Sequence, residues 1–145
     1  MNYLMKRNIN AVIERSQLSR NIFLKLSTGL ALKSKRNELK KRAKFYQNLY
    51  ADLKAHINFY SQNPDANPAI HRYSKSSFYN ENQIEKKIGY RRFQTLIVDG
   101  DNQCLQALEH IRDGDQVPES LRSLIQENIN KIKGMQMMEK FLEAN

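Results

Sequence analysis

The stretch CLQALEHIRDGDQVPESLRSLIQENINKIKG, residues 104–134, decides the fold. In its left arm Cys104, Ala107, Leu108 and Ile111 recur at three- and four-residue steps, the spacing that lines one face of an α-helix. The middle, RDGDQVPES, puts Gly114 just past a helix end and Pro118 with Glu119 at the start of the next helix. The right arm resumes the period with Leu121, Leu124, Ile125, Ile129 and Ile132. Met135, Met138 and Leu142 carry it nearly to the C-terminus. Two amphipathic helices with so short a link predict an antiparallel hairpin.

Upstream, Ile84, Ile88, Phe93, Leu96 and Ile97 extend the third helix back to residue 81, with Asn80 as its N-cap and Gln83 three residues on. Gly89 and Gly100 each cost about 1 kcal/mol inside a helix, which predicts a bend or a late start near Tyr90. Residues 61–80, SQNPDANPAIHRYSKSSFYN, break the period: Pro64 and Pro68 disfavour helix before themselves, and Asn, Asp and Ser favour turns. Before this connection, Leu39, Tyr46, Leu49, Leu53 and Ile57 mark a second helix. Ile9, Val12, Ile13, Ser16, Phe23, Leu26 and Leu30 mark the first. The polar joint KSKRN separates those two. The expected architecture is all-α, one domain over 1–145, with helices at 3–32, 36–60, 81–112 and 118–143. A long crossover between the second and third suits an antiparallel four-helix bundle with one crossover better than a plain up-down-up-down series.

Composition narrows the function classes. Five Gly and three Pro are too few for a turn-rich sandwich or barrel. Cys104 is the only cysteine, so the chain forms no internal disulfide and no cysteine-based zinc site, which fits a reducing compartment. The first residues, MNYLMKRNINAVIERSQ, hold no apolar run of secretory type, and no run of about 18 apolar residues occurs anywhere. A cytoplasmic protein without a membrane span is expected. The net charge of +9 is one-sided: residues 1–60 carry thirteen Lys/Arg against Glu14, Glu38 and Asp52, while residues 61–145 are nearly balanced. A solvated lysine face is the commoner cause of such asymmetry, and an anionic partner is the other.

Several stretches resemble a family of ferritin-like four-helix proteins of bacteria, a domain of unknown function. The similarity is spread over Ile13–Glu14, Phe23, the pattern around Arg42, Phe45 and Leu53, and the AIHRY segment from Ala69 to Tyr73. It is clearest in Asp99-Gly100-Asp101, Ala107-Leu108, Pro118-Glu119 and LRSLIQENINKIKG. The resemblance implies a cytoplasmic, self-associating bundle, a dimer first of all, without an established activity. The sequence departs from the family where a Glu is usual beside the glycine of the third helix, which here is Asp101. It departs again where the fourth helix would offer a His and reads GMQMM.

Those departures bear on metal. A di-iron bundle needs a Glu from each of two helices and a Glu-x-x-His pair from each of the other two. No Glu-x-x-His occurs in the 145 residues. Glu14, Asp101 and Glu127 remain as the candidate ligands from three helices, with solvated faces as their commoner fate; no cofactor is expected. Of the histidines, His56 reads as a boundary residue and His110 as a solvated one. His71, with Arg72, reads as an anchor of the crossover. Cys104 falls on the apolar stripe. Lys40, Lys41, Arg42 and Lys44, next to Phe45, Tyr46 and Tyr50, resemble the basic-aromatic interleaving that binds single-stranded nucleic acid. Core packing is the commoner role of such aromatics. Met135, Met137 and Met138 offer adaptable packing, Met135 and Met138 in the core and Met137 elsewhere. The function expected is non-enzymatic, through self-association or a protein partner. Residual metal-dependent oxidase or storage activity is one alternative, and polyanion binding by the basic first hairpin is another.

Overall fold

The computed structural model describes residues 3–29, 35–60, 76–80 and 90–144, with the side chains of 59, 60, 90, 91 and 139–144 excepted. The described residues form four helices and no strand: α1 (Tyr3–Thr28), α2 (Arg36–Tyr60), α3 (Tyr90–Arg112) and α4 (Glu119–Ala144). α1 buries Met5, Ile9, Val12, Ile13, Ser16, Ser19, Ile22, Phe23 and Ser27, one stripe at helical spacing. α2 adds Leu39, Ala43, Phe45, Tyr46, Leu49 and Leu53. α3 adds Phe93, Leu96, Ile97, Cys104, Leu105, Leu108 and Ile111, and α4 adds Leu121, Ile125, Ile129 and Ile132. Apart from the three serines, all belong to one hydrophobic cluster. α1 packs most extensively on α2, α3 on α4, and α1 also touches α3.

Polar pairs fix the register between neighbours. Arg20 reaches Gln47 across α1 and α2. Arg112 Nη1 donates to Gln126 Oε1 at 2.9 Å, and Gln136 Nε2 donates to Asn102 Oδ1 at 3.2 Å. Moving back along α3 from 112 to 102 therefore means moving forward along α4 from 126 to 136.

One sequence expectation changes here. α1 ends at Thr28 rather than near residue 32. Gly29 follows as a bend whose N–H reaches the Leu26 carbonyl at 3.2 Å. Gly114 stands just past the end of α3, as the sequence places it, and the left-handed residue of the α3–α4 turn is Gln116, at φ 58°. Gly114 also leaves room for α1, since a Cβ there would sit 3.2 Å from Met5 Cε. Gly100 lies within α3, inside the range expected for the third helix. Residues 81–89, the expected first turns of the third helix, lie outside the described residues, as do His71 and Arg72.

A buried polar centre as the candidate functional site

Arg42 sits on the inner face of α2, at helical spacing with Leu39, Tyr46 and Leu49. Asp101 sits on the inner face of α3, between Ile97 and Cys104. Both side chains are removed from water, at 4% and 0% exposure. The guanidinium meets the carboxylate as a fork: Nη1 to Oδ1 at 2.6 Å and Nη2 to Oδ2 at 3.0 Å. Taking two charges out of water costs several kcal/mol each, and only such bidentate, charge-assisted geometry with further bonds offsets it. The further bond comes from Tyr79, whose hydroxyl donates to Asp101 Oδ1 at 2.5 Å.

Tyr79 belongs to a short strap, Ser76–Asn80, that enters the core from outside the helices. Ser77, Phe78 and Tyr79 are all buried. Ser77 Oγ accepts the Tyr79 N–H at 3.0 Å and donates to the Tyr79 carbonyl, folding the strap on itself. The Phe78 N–H donates to Ser19 Oγ of α1 at 3.2 Å, and Ser19 in turn donates to the Arg15 carbonyl. Arg15 lays its guanidinium 4.3 Å from the Phe78 ring centroid and bonds Gln103 of α3 at 2.9 Å. The Tyr79 ring lies against Gly100: a Cβ there would come 2.1 Å from Tyr79 Cδ1, closer than any atom can sit. Glycine at this position makes the slot for the ring, at the cost of weaker helix propensity.

The tyrosines form a chain. The Tyr46 and Tyr79 hydroxyls are 2.6 Å apart. Tyr79 has one hydrogen and gives it to Asp101, so Tyr46 is the donor to Tyr79. Rings pack around the chain, with Phe23 edge-on to Tyr79 at 4.7 Å and Phe45 edge-on to Tyr46 at 5.0 Å. Burial, and then the Asp101 charge, raise the Tyr79 phenol well above its ordinary pKa. Burial likewise raises Tyr46 well above its ordinary value. Burial pushes the Cys104 thiol up to about 12, although the Tyr46 hydroxyl beside it acts the other way. Burial lowers Arg15 from its usual value.

Chemically, then, this centre retains its protons. A nucleophilic cysteine needs a depressed pKa, and Cys104 has the opposite. A general acid or base works best with a pKa near neutrality, and neither tyrosine is near it.

The sequence-predicted residues fall in different places. Asp101, named as a metal ligand, and Arg42, named as a polyanion contact, are partners of one another. Arg42 is thus withdrawn from the surface, which corrects its expected role. Glu14 is half-buried on α1, and Glu127 is exposed and paired with Lys131 at 3.5 Å. Among the described residues no three His, Cys, Asp or Glu side chains are grouped to hold a metal ion, so Glu14, Asp101 and Glu127 do not meet. Both Asp101 oxygens face a guanidinium cation, an environment unfit for a second cation. Lys40, Lys41 and Lys44 are exposed. Phe45 and Tyr46 are buried and cannot stack on bases. Met138, expected in the core, is 60% exposed. Among the described residues, no helix is long and apolar enough to cross a membrane.

Sequence reasoning missed the strap. Two large aromatics, Phe78 and Tyr79, inside an otherwise polar connection were the available signal. No protein-family model matches the chain, no curated protein matches it, and no solved structure matches it.

Proposed function

We propose that this chain is a non-catalytic, ferritin-like antiparallel four-helix bundle of the cytoplasm that acts through self-association, as a dimer, or through a protein partner. One observation carries it: the charged and phenolic groups of the buried centre satisfy one another, Arg42 with Asp101, Asp101 with Tyr79 and Tyr79 with Tyr46, and hold their protons. An ion pair stands where a bundle of this kind would present carboxylates to a metal, so no cofactor is assigned. The opposed register of Arg112–Gln126 and Asn102–Gln136 supports the antiparallel arrangement. The strap between α2 and α3 supports the crossover. Met137 and Met138, 71% and 60% exposed, give α4 an adaptable apolar contact for a second copy.

The test is a solution mass with a metal assay on protein purified without chelator. The expected result is twice the 17.1 kDa chain mass, reduced to one chain by Met137→Lys with Met138→Lys, and no stoichiometric metal. A monomer loaded with about one or more iron ions per chain would overturn the proposal.

A further inference from the structure

The lock between Arg42 and Asp101 also sets what α2 shows to solvent. At about 100° per residue, a side chain two positions from Arg42 points to the other side of the helix. Lys40 and Lys44 lie two residues before and after Arg42, and Lys41 lies one turn before Phe45 at the edge of that outer face. All three are exposed. The outer face continues through exposed Asn37 and Asn48, and its first exposed carboxylate is Asp52. Glu38, the only other acid in α2, is held to Lys35 at 3.5 Å. Among the described residues no carboxylate lies within salt-bridge distance of Lys40, Lys41 or Lys44. The last turn of α1 brings exposed Lys25 to the same end, since Phe23 packs on Tyr46 and lies 5.8 Å from the Arg42 guanidinium.

Such a face, about 17 Å from Asn37 to Asn48 at 1.5 Å per residue, spans roughly five base pairs of a duplex. Lysines are point charges on flexible stems, suited to phosphate and indifferent to sequence. Among the described residues, the aromatics beside these lysines are not free to stack on single-stranded bases: Phe45 and Tyr46 are buried, and Tyr50 is engaged by Lys54. A membrane surface would call for apolar side chains beside the lysines, and among the described residues Leu24 is the only large exposed one on the neighbouring end of α1. We infer that the outer face of α2 around Lys40, Lys41 and Lys44 docks the phosphate backbone of double-stranded nucleic acid without reading its bases.

The experiment is fluorescence anisotropy of the full chain on a labelled duplex, with NaCl varied from about 50 to 200 mM. Three phosphate contacts predict a slope of about −2.7 in log affinity against log salt, a loss of roughly 40-fold over that range. Lys40→Gln, Lys41→Gln and Lys44→Gln together remove the binding, by tenfold or more at the lower salt. Each one alone flattens the slope by about 0.9. These residues are exposed and Gln is a good helix former, so circular dichroism should show an unchanged fold. Lys54→Gln, farther along the helix, leaves binding as it was. Duplex affinity unchanged in the triple variant would overturn the inference. So would no duplex binding at low salt, or capture by phosphatidylserine vesicles with the duplex ignored.

Discussion

The inner faces of α2 and α4 are both buried, yet they are built from opposite materials. α2 turns Arg42, Phe45 and Tyr46 inward, into a network of directional bonds that draws in α3 and the strap. α4 turns in Leu121, Ile125, Ile129 and Ile132, with Asn128 bonded only to its own helix at Leu124. Apolar burial is proportional to area and tolerates small changes of shape. A buried ion pair tolerates almost none, because removing one partner leaves the other charged and dry. The α4 side should therefore supply cohesion, and the α2 side should select one arrangement out of the many that cohesion alone would allow.

That contrast can be broken most forcefully at Asp101. Asp101→Ala takes the bidentate carboxylate away from the buried Arg42 charge and should lower stability by about 3–5 kcal/mol in urea titration. Arg42→Met, Asp101→Leu and Tyr79→Phe together should recover most of that loss, since Tyr46 can turn its proton toward Cys104. If Asp101→Ala behaves like a surface substitution, the centre has no selective role.

Gly100 and Gly134 give the next test. Gly100→Ala forces a methyl into the Tyr79 ring and should cost about 2 kcal/mol, despite the better helix propensity of alanine. Gly134 has nothing within 4 Å of its missing Cβ, so Gly134→Ala should gain up to about 1 kcal/mol. Equal effects at the two sites would remove the distinction between the helices.

Alkali attacks the polar side alone. Tyr46, Tyr79 and Cys104 have folded-state pKa values above their unfolded ones, so the folded state holds these protons more tightly. Their contribution is complete below the unfolded pKa and is lost as pH rises. The loss starts near 9 for Cys104 and runs toward about 12, with the tyrosines joining from about 10. Each group should contribute a slope of up to about 1.4 kcal/mol per pH unit. Denaturation midpoints at pH 8, 9.5 and 10.5 would show it, and Cys104→Ala should delay the onset. Stability that stays level beyond pH 11 would refute it. Smallest of all, Ile129→Val on α4 should cost only about 1 kcal/mol and leave the alkaline fall unchanged.

Periodicity exposed α2 and α4 almost to the residue, because a stripe at steps of three and four is a local property of the chain. The α3–α4 turn was legible from Gly114 and Pro118, although nothing in the sequence marked Gln116 as its left-handed residue. The polar centre was not legible as a unit. Arg42 and Asp101 are 59 residues apart, and nothing in a basic cluster marks which cation turns inward. Gly100 read as a weak point in a helix because its purpose lies in a ring from another segment. Asp101 and Arg42 were each singled out for an external ligand; both needed an opposite charge, and each supplied it to the other.

The strap has a consequence for how the molecule is made. Synthesis runs from the N-terminus, so α1 and α2 emerge before Tyr79, and Tyr79 before Asp101. At about 5–20 residues per second, Arg42 waits roughly 3–12 s for its carboxylate. During that interval the nascent hairpin lacks the carboxylate that this guanidinium grips in the finished core. The contact that joins α2 to α3 is in this way made only after the third helix has left the ribosome, so the chain completes its polar interior late.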